Sequence, residues 1–137
     1  MLSTPILLDY QSSTPCSIDV VDSMKPFWSE IFANPASKSN LAGIYSSAIL
    51  EASREKIEQN LSLKNKKVIF TSGATESNNL AILGFARNYY KKKGNYGHII
   101  TLKTEHKAVL EPINQLKKEG FMVTEINPEK DGLISEE

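Results

Sequence analysis

Apolar residues in this chain fall into two patterns. Short runs of strand length occur at Val68-Ile69-Phe70, at His98 to Leu102 and at Phe121 to Ile126, where polar Thr124 and Glu125 interrupt the last run. Pro5 to Leu8 is a fourth short run. Elsewhere the spacing is helical: Val20, Val21, Met24, Phe27, Trp28 and Ile31 form one stripe, broken by Pro26, where the helix is expected to kink or restart. Tyr45, Ala48, Ile49 and Ala52 form a second stripe, and Ile82, Phe85, Ala86 and Tyr89 a third. A fourth helix is predicted from about His106 to Lys118, with Gly120 as its stop. Strand, helix, strand, helix, strand from residue 68 onward predicts an α/β fold with a parallel sheet. Right-handed crossovers place the two connecting helices on one sheet face, so the other face needs separate cover.

Loop signals divide these elements. Asp9 to Pro15 is an irregular polar stretch, Asn34-Pro35-Ala36-Ser37 a turn, Asn60 to Lys67 a polar connection, Gly94 to Gly97 a turn and Asp131-Gly132 another. No internal repeat or low-complexity segment is present.

Composition narrows the classes. Sixteen basic and sixteen acidic residues cancel, so no basic footprint argues for nucleic acid. Lys91-Lys92-Lys93 sits at a predicted helix end, where cations oppose the dipole. A single cysteine, Cys16, excludes an intrachain disulfide framework and a cysteine-rich metal site. No apolar run is long enough to span a membrane and no secretory signal is visible, so a cytoplasmic protein is expected.

The strongest local chemistry is in Thr71-Ser72-Gly73-Ala74-Thr75-Glu76-Ser77-Asn78-Asn79, a glycine-containing turn between a strand and a helix start. Free N–H groups and the positive helix end suit a phosphate or carboxylate there. The competing reading is a simple N-cap by Ser72 or Thr75. The run is neither a P-loop, which needs a lysine, nor a dinucleotide fingerprint, which needs more glycines. His106 opens the next helix, where the dipole favours neutral imidazole, and ligands in parallel α/β sheets gather beyond the carboxyl ends of strands. His98 reads as structural, Cys16 as buried or incidental, and Asp9 as part of an Asx-type turn.

These segments together resemble the cysteine desulfurases of the class V aminotransferase group. The resemblance rests on Leu8-Asp9-Tyr10, Thr14-Pro15, Asn34 to Ser37, Phe70 to Ala81, His98 to Thr101, Thr104 to Leu110 and Asp131 to Ile134, in matching order and spacing. It implies the N-terminal part of a fold type I, pyridoxal-phosphate-dependent transferase: a three-layer α/β/α large domain with a mostly parallel sheet. Residues 1–15 are then an arm of the small domain and residues 16–137 the first part of the large domain. The resemblance further implies that Ala74 and Thr75 bind the phosphate of pyridoxal 5′-phosphate, and that His106 stacks on its ring and moves protons. The resemblance also implies that Ser12 to Pro15 and Asn34 to Ser39 lie near the substrate entrance. The implied reaction removes sulfur from L-cysteine, giving alanine and an enzyme persulfide. Its sulfur acceptor is a protein such as an iron–sulfur scaffold, and the enzyme is a homodimer. A selenocysteine lyase, a transaminase of the same fold, and a non-catalytic truncated product are the alternatives.

Three departures from the family pattern stand out. Asn40 occupies a place where the family usually carries histidine, and Gln11 to Pro15 differs slightly from the usual Ala-Thr-Thr-Pro ending. No lysine here lies in the Schiff-base motif, and Cys16 is not at the nucleophile position. Residues 1–137 alone are therefore expected to be inactive. They are also expected to be poorly stable, because the strand ending at Phe70 would lack its neighbours.

Overall fold

The structure, a computed structural model, describes residues 6–64 and 66–135. It divides into two compact units, residues 1–68 and residues 69–137.

The first unit is helical. Helix α1 (Ile18–Met24) ends at Lys25, and α2 (Pro26–Ser29) restarts with Pro26 at its first position, where a missing N–H costs nothing. Helix α3 (Leu41–Asn60) is capped by Asn40, whose Oδ1 accepts from the Gly43 N–H at 2.8 Å. The same amide donates from Nδ2 to Ser37 Oγ at 2.7 Å, so Asn40 ties the Asn34–Ser37 turn to the helix start. Gly43 makes this approach possible. A Cβ there would collide with the Ser37 carbonyl and lie 2.8 Å from Ser37 Cβ. Met24, Phe27 and Trp28 face Ser46, Ile49 and Leu50 across an apolar cavity of about 550 Å³. The covered stripe of α3 therefore includes Ser46, Ile49 and Leu50. Of the four residues expected there only Ile49 is half-buried, while Tyr45, Ala48 and Ala52 are exposed.

Residues 6–8 form no strand, and Pro5 lies outside the described residues. Val68 to Phe70 is likewise not a strand. Side chains of α3 take the place of a ladder at Val68: its N–H donates to Glu58 Oε1 at 3.1 Å and its carbonyl accepts from Arg54 Nη1. A strand is defined by a hydrogen-bonded neighbour, and the sheet here contains two strands only, among the described residues.

The second unit contains that sheet. Helix α4 (Ala74–Lys93) ends at Gly94, which is left-handed at φ 70°, and leads through a short turn into β1 (His98–Leu102). Helix α5 (Lys107–Lys118) follows, with Pro112 in its interior, and then β2 (Met122–Ile126). The strands pair in parallel, His98 opposite Met122 through Leu102 opposite Ile126. Ala86, Leu116 and Phe121 form the core, with Ile82, Leu83 and Ile99 packed on it. Both helices thus share the Ile99 face of the sheet. On the opposite face Ile100 and Met122 are 63% and 66% exposed, the uncovered face the crossover rule anticipates. Leu83, not Phe85, completes the buried side of α4; Phe85 is 74% exposed.

Candidate functional site

The start of α4 is a loop stitched to itself. Gly73 is the N-cap residue, at φ 157° and ψ −173°, an extended region open essentially to glycine alone. A Cβ on Gly73 would meet nothing within 4 Å, so the requirement is conformational and not one of space. Neither Ser72 nor Thr75 caps the helix; the cap position makes no side-chain hydrogen bond. The simple-cap reading is thus set aside, because a residue without a side chain holds the position. The N–H groups of Ala74 and Thr75 lie in the first turn, where no intrahelical partner exists. Ala74 and Thr75 are both exposed.

The flanking groups fix the loop. Glu76 reaches back and accepts from the Ser72 N–H and from Ser72 Oγ, each at 2.7 Å. Those bonds hold the Glu76 carboxyl below its usual range, the backbone bond contributing most. Thr71 Oγ1 lies 2.6 Å from Ser77 Oγ and donates to the Gly73 carbonyl at 3.2 Å. None of these roles was among the expectations from sequence. An acid at the third helical position, able to reach back before the cap, is the signal that marks Glu76.

His106 is the N-cap of α5, and its Nδ1 accepts from the Ala108 N–H at 3.1 Å. An accepting Nδ1 carries no proton, so in the neutral ring the proton sits on Nε2, free for another partner. The ring is thus oriented by the helix it starts, and it is exposed.

Topology brings the two helix starts to one end. Each helix is joined to its following strand by a tight turn, and the strands are parallel, so α4 and α5 run in the same direction. The Arg87 guanidinium binds the Glu119 carboxylate at 3.1 Å from Nε, tying the helices near their far ends. Arg87 lies thirteen residues after Ala74, and Glu119 thirteen after His106. At about 1.5 Å per residue, both starts lie ~20 Å back from the tie. Thr75 and His106 therefore share the carboxyl-end side of the sheet.

The remaining candidates are placed differently. His98 Nε2 bonds Thr124 Oγ1 at 2.7 Å across the strands, the structural role expected of it. Cys16 is a free, exposed thiol, so of the two readings, buried or incidental, burial is corrected: no core surrounds the stretch before α1. The Asp9 turn closes through its carbonyl, which accepts from the Ser12 N–H at 3.2 Å and Ser12 Oγ at 2.9 Å. It is therefore a backbone turn and not an Asx turn. The Asx geometry appears at Asp131, whose Oδ1 accepts from Leu133 N–H at 3.0 Å. Among the described residues no helix is long and apolar enough to cross a membrane.

Comparison with known families then bears on this arrangement. The profile of Aminotransferase class-V matches residues 6–137. This chain belongs to the class-V aminotransferase family. Its relatives include the cysteine desulfurase IscS of Ehrlichia chaffeensis, 46% identical over 133 residues, which cover 97% of this chain and 32% of that protein. The mitochondrial cysteine desulfurase of Eremothecium gossypii is 47% identical over 131 residues, covering 96% of this chain and 26% of that one. Among solved structures, SspA in complex with cysteine superposes with a TM-score of 0.79 at 41% identity, over 93% of this chain and 35% of that one. This class-V chain therefore has the α/β fold of that structure, and it spans about a third of the length of the relatives it matches.

Proposed function

We propose that these 137 residues are the N-terminal third of a pyridoxal-phosphate-dependent cysteine desulfurase, which removes sulfur from L-cysteine and leaves alanine and an enzyme persulfide. The observation that carries this reading is the uncapped, glycine-led start of α4, held by a chain 46% identical to a cysteine desulfurase. The donors there fit a phosphate. First-turn N–H groups and the Thr75 hydroxyl are exposed, and the helix end is positive. Ala74 and Thr75 would hold the phosphate, and His106, its ring oriented by the cap bond with its proton on Nε2, would contact the cofactor ring and hold or move a proton there. When bound, the cofactor supplies an electron sink; the protein contributes binding, orientation and charge.

In this reading residues 1–15 are an arm of the small domain and residues 16–137 open the large, cofactor-binding domain. The whole enzyme is a cytoplasmic homodimer that hands sulfur to an acceptor such as an iron–sulfur scaffold. Residues 1–137 alone do not turn over, since the Schiff-base lysine and the persulfide cysteine of the family motifs are not among them. The test is to incubate the full-length protein with pyridoxal phosphate, L-cysteine and a thiol reductant, and to measure alanine. Alanine equal to sulfide released supports a desulfurase. Turnover confined to L-selenocysteine, or amino transfer to a keto acid without sulfide, overturns it.

A further inference from the structure

We propose that Glu76 is a positioning residue that fixes which donors at the start of α4 face an anion; this rests on the phosphate-binding reading above. A helix start of this kind offers several N–H groups, and Ser72 adds an N–H and a hydroxyl just ahead of it. The Glu76 carboxylate engages both Ser72 donors at 2.7 Å each. Both Ser72 donors are thereby occupied, and the cradle is reduced to the first-turn N–H groups and the Thr75 hydroxyl. The bonds also hold the backbone on the amino side of Gly73, the residue whose φ of 157° leaves the loop without side-chain restraint of its own. A second stitch, Thr71 Oγ1 to Ser77 Oγ at 2.6 Å, closes the same loop from the other side. Glu76 touches no cofactor in this role and acts through Ser72.

A charge in the first turn has an opposite effect as well: it repels an incoming phosphate. The two effects predict opposite outcomes, so they separate experimentally. The readout is the ratio of affinities of full-length apoprotein for pyridoxal phosphate and for pyridoxal, titrated by absorbance, because that ratio isolates the phosphate. Glu76→Ala is expected to lower the ratio about tenfold, the worth of a charge-assisted hydrogen bond, with pyridoxal affinity unchanged. Glu76→Gln, which still accepts from Ser72, is expected to keep the ratio within about threefold of the parent. A ratio that rises in Glu76→Ala, or that falls as far in Glu76→Gln, overturns the proposal. Where Glu76→Ala does not fold, Glu76→Ser, too short to reach Ser72, takes its place with the same expected fall in the ratio, and an unchanged ratio overturns the proposal. Thr75→Ala serves as the control: if it leaves the ratio unchanged, the phosphate site itself is wrong, whereas an effect of Thr75→Ala with none of Glu76→Ala removes only the positioning role.

Discussion

In the proposed function Thr75 serves binding and His106 turnover, and each role is testable by single substitution. His106 has two roles that one variant would confuse. His106→Ala removes an N-cap, at a cost of about 1 kcal/mol to α5. His106→Asn keeps an accepting side chain at the cap. Both variants are expected to slow alanine formation from L-cysteine, while only His106→Ala lowers the melting temperature. If His106→Asn kept the parental rate, the ring would have no part in turnover. The two helix starts that carry Thr75 and His106 were legible from local spacing, since each follows a strand-like run. What was not legible was which atom caps α4. Capping preference favours Ser72 or Thr75, whereas the structure places Gly73 at the cap, where no side chain claims the first-turn N–H groups.

At the level of elements, helix positions followed from periodicity, whereas the buried faces were only partly readable. Phe85 and Tyr45 fit their apolar stripes yet are exposed, since amphipathic spacing does not say which neighbour covers a stripe. The strand expected at Val68 to Phe70 failed for a related reason: strand pairing is non-local, and at Val68 Arg54 and Glu58 bind the backbone groups instead. Asn40 was noted as a departure from a family histidine; its place as the cap of α3 gives that residue a structural task. Asn40→Ala is expected to cost about 1 kcal/mol in thermal or denaturant unfolding, and Asn40→Asp much less. Two acids of the second unit, Glu76 and Glu119, respond to pH in one direction. Glu76 is held low by Ser72, and Glu119 by the Arg87 guanidinium; both have folded values below the ordinary 4.5. Their stabilisation is present above the unfolded value and is lost as pH falls below 4.5 through the folded values. Arg87→Ala is expected to remove part of this acid sensitivity. Identical acid unfolding curves for the variant and the parent would contradict it.

Across the described residues the buried apolar core is small and lies in the second unit. Leu116 is fully buried, while Ile100, Met122 and Phe85 remain mostly exposed. Leu116→Ala is expected to cost about 2–5 kcal/mol, enough to unfold a marginal core. The isolated 137 residues are expected to melt broadly by circular dichroism; a sharp, concentration-independent transition would contradict this. The α/β class was readable because the alternation of strand and helix is local and repeated. The limits of the sheet were not, because they depend on pairing across the chain.

The most direct test of the account is the affinity of full-length apoprotein for pyridoxal phosphate with and without Thr75→Ala. The account predicts a loss of about ten- to a hundredfold, the worth of a hydrogen bond to a charged group. Unchanged affinity would contradict it, leaving the start of α4 a glycine-led turn with no phosphate to hold.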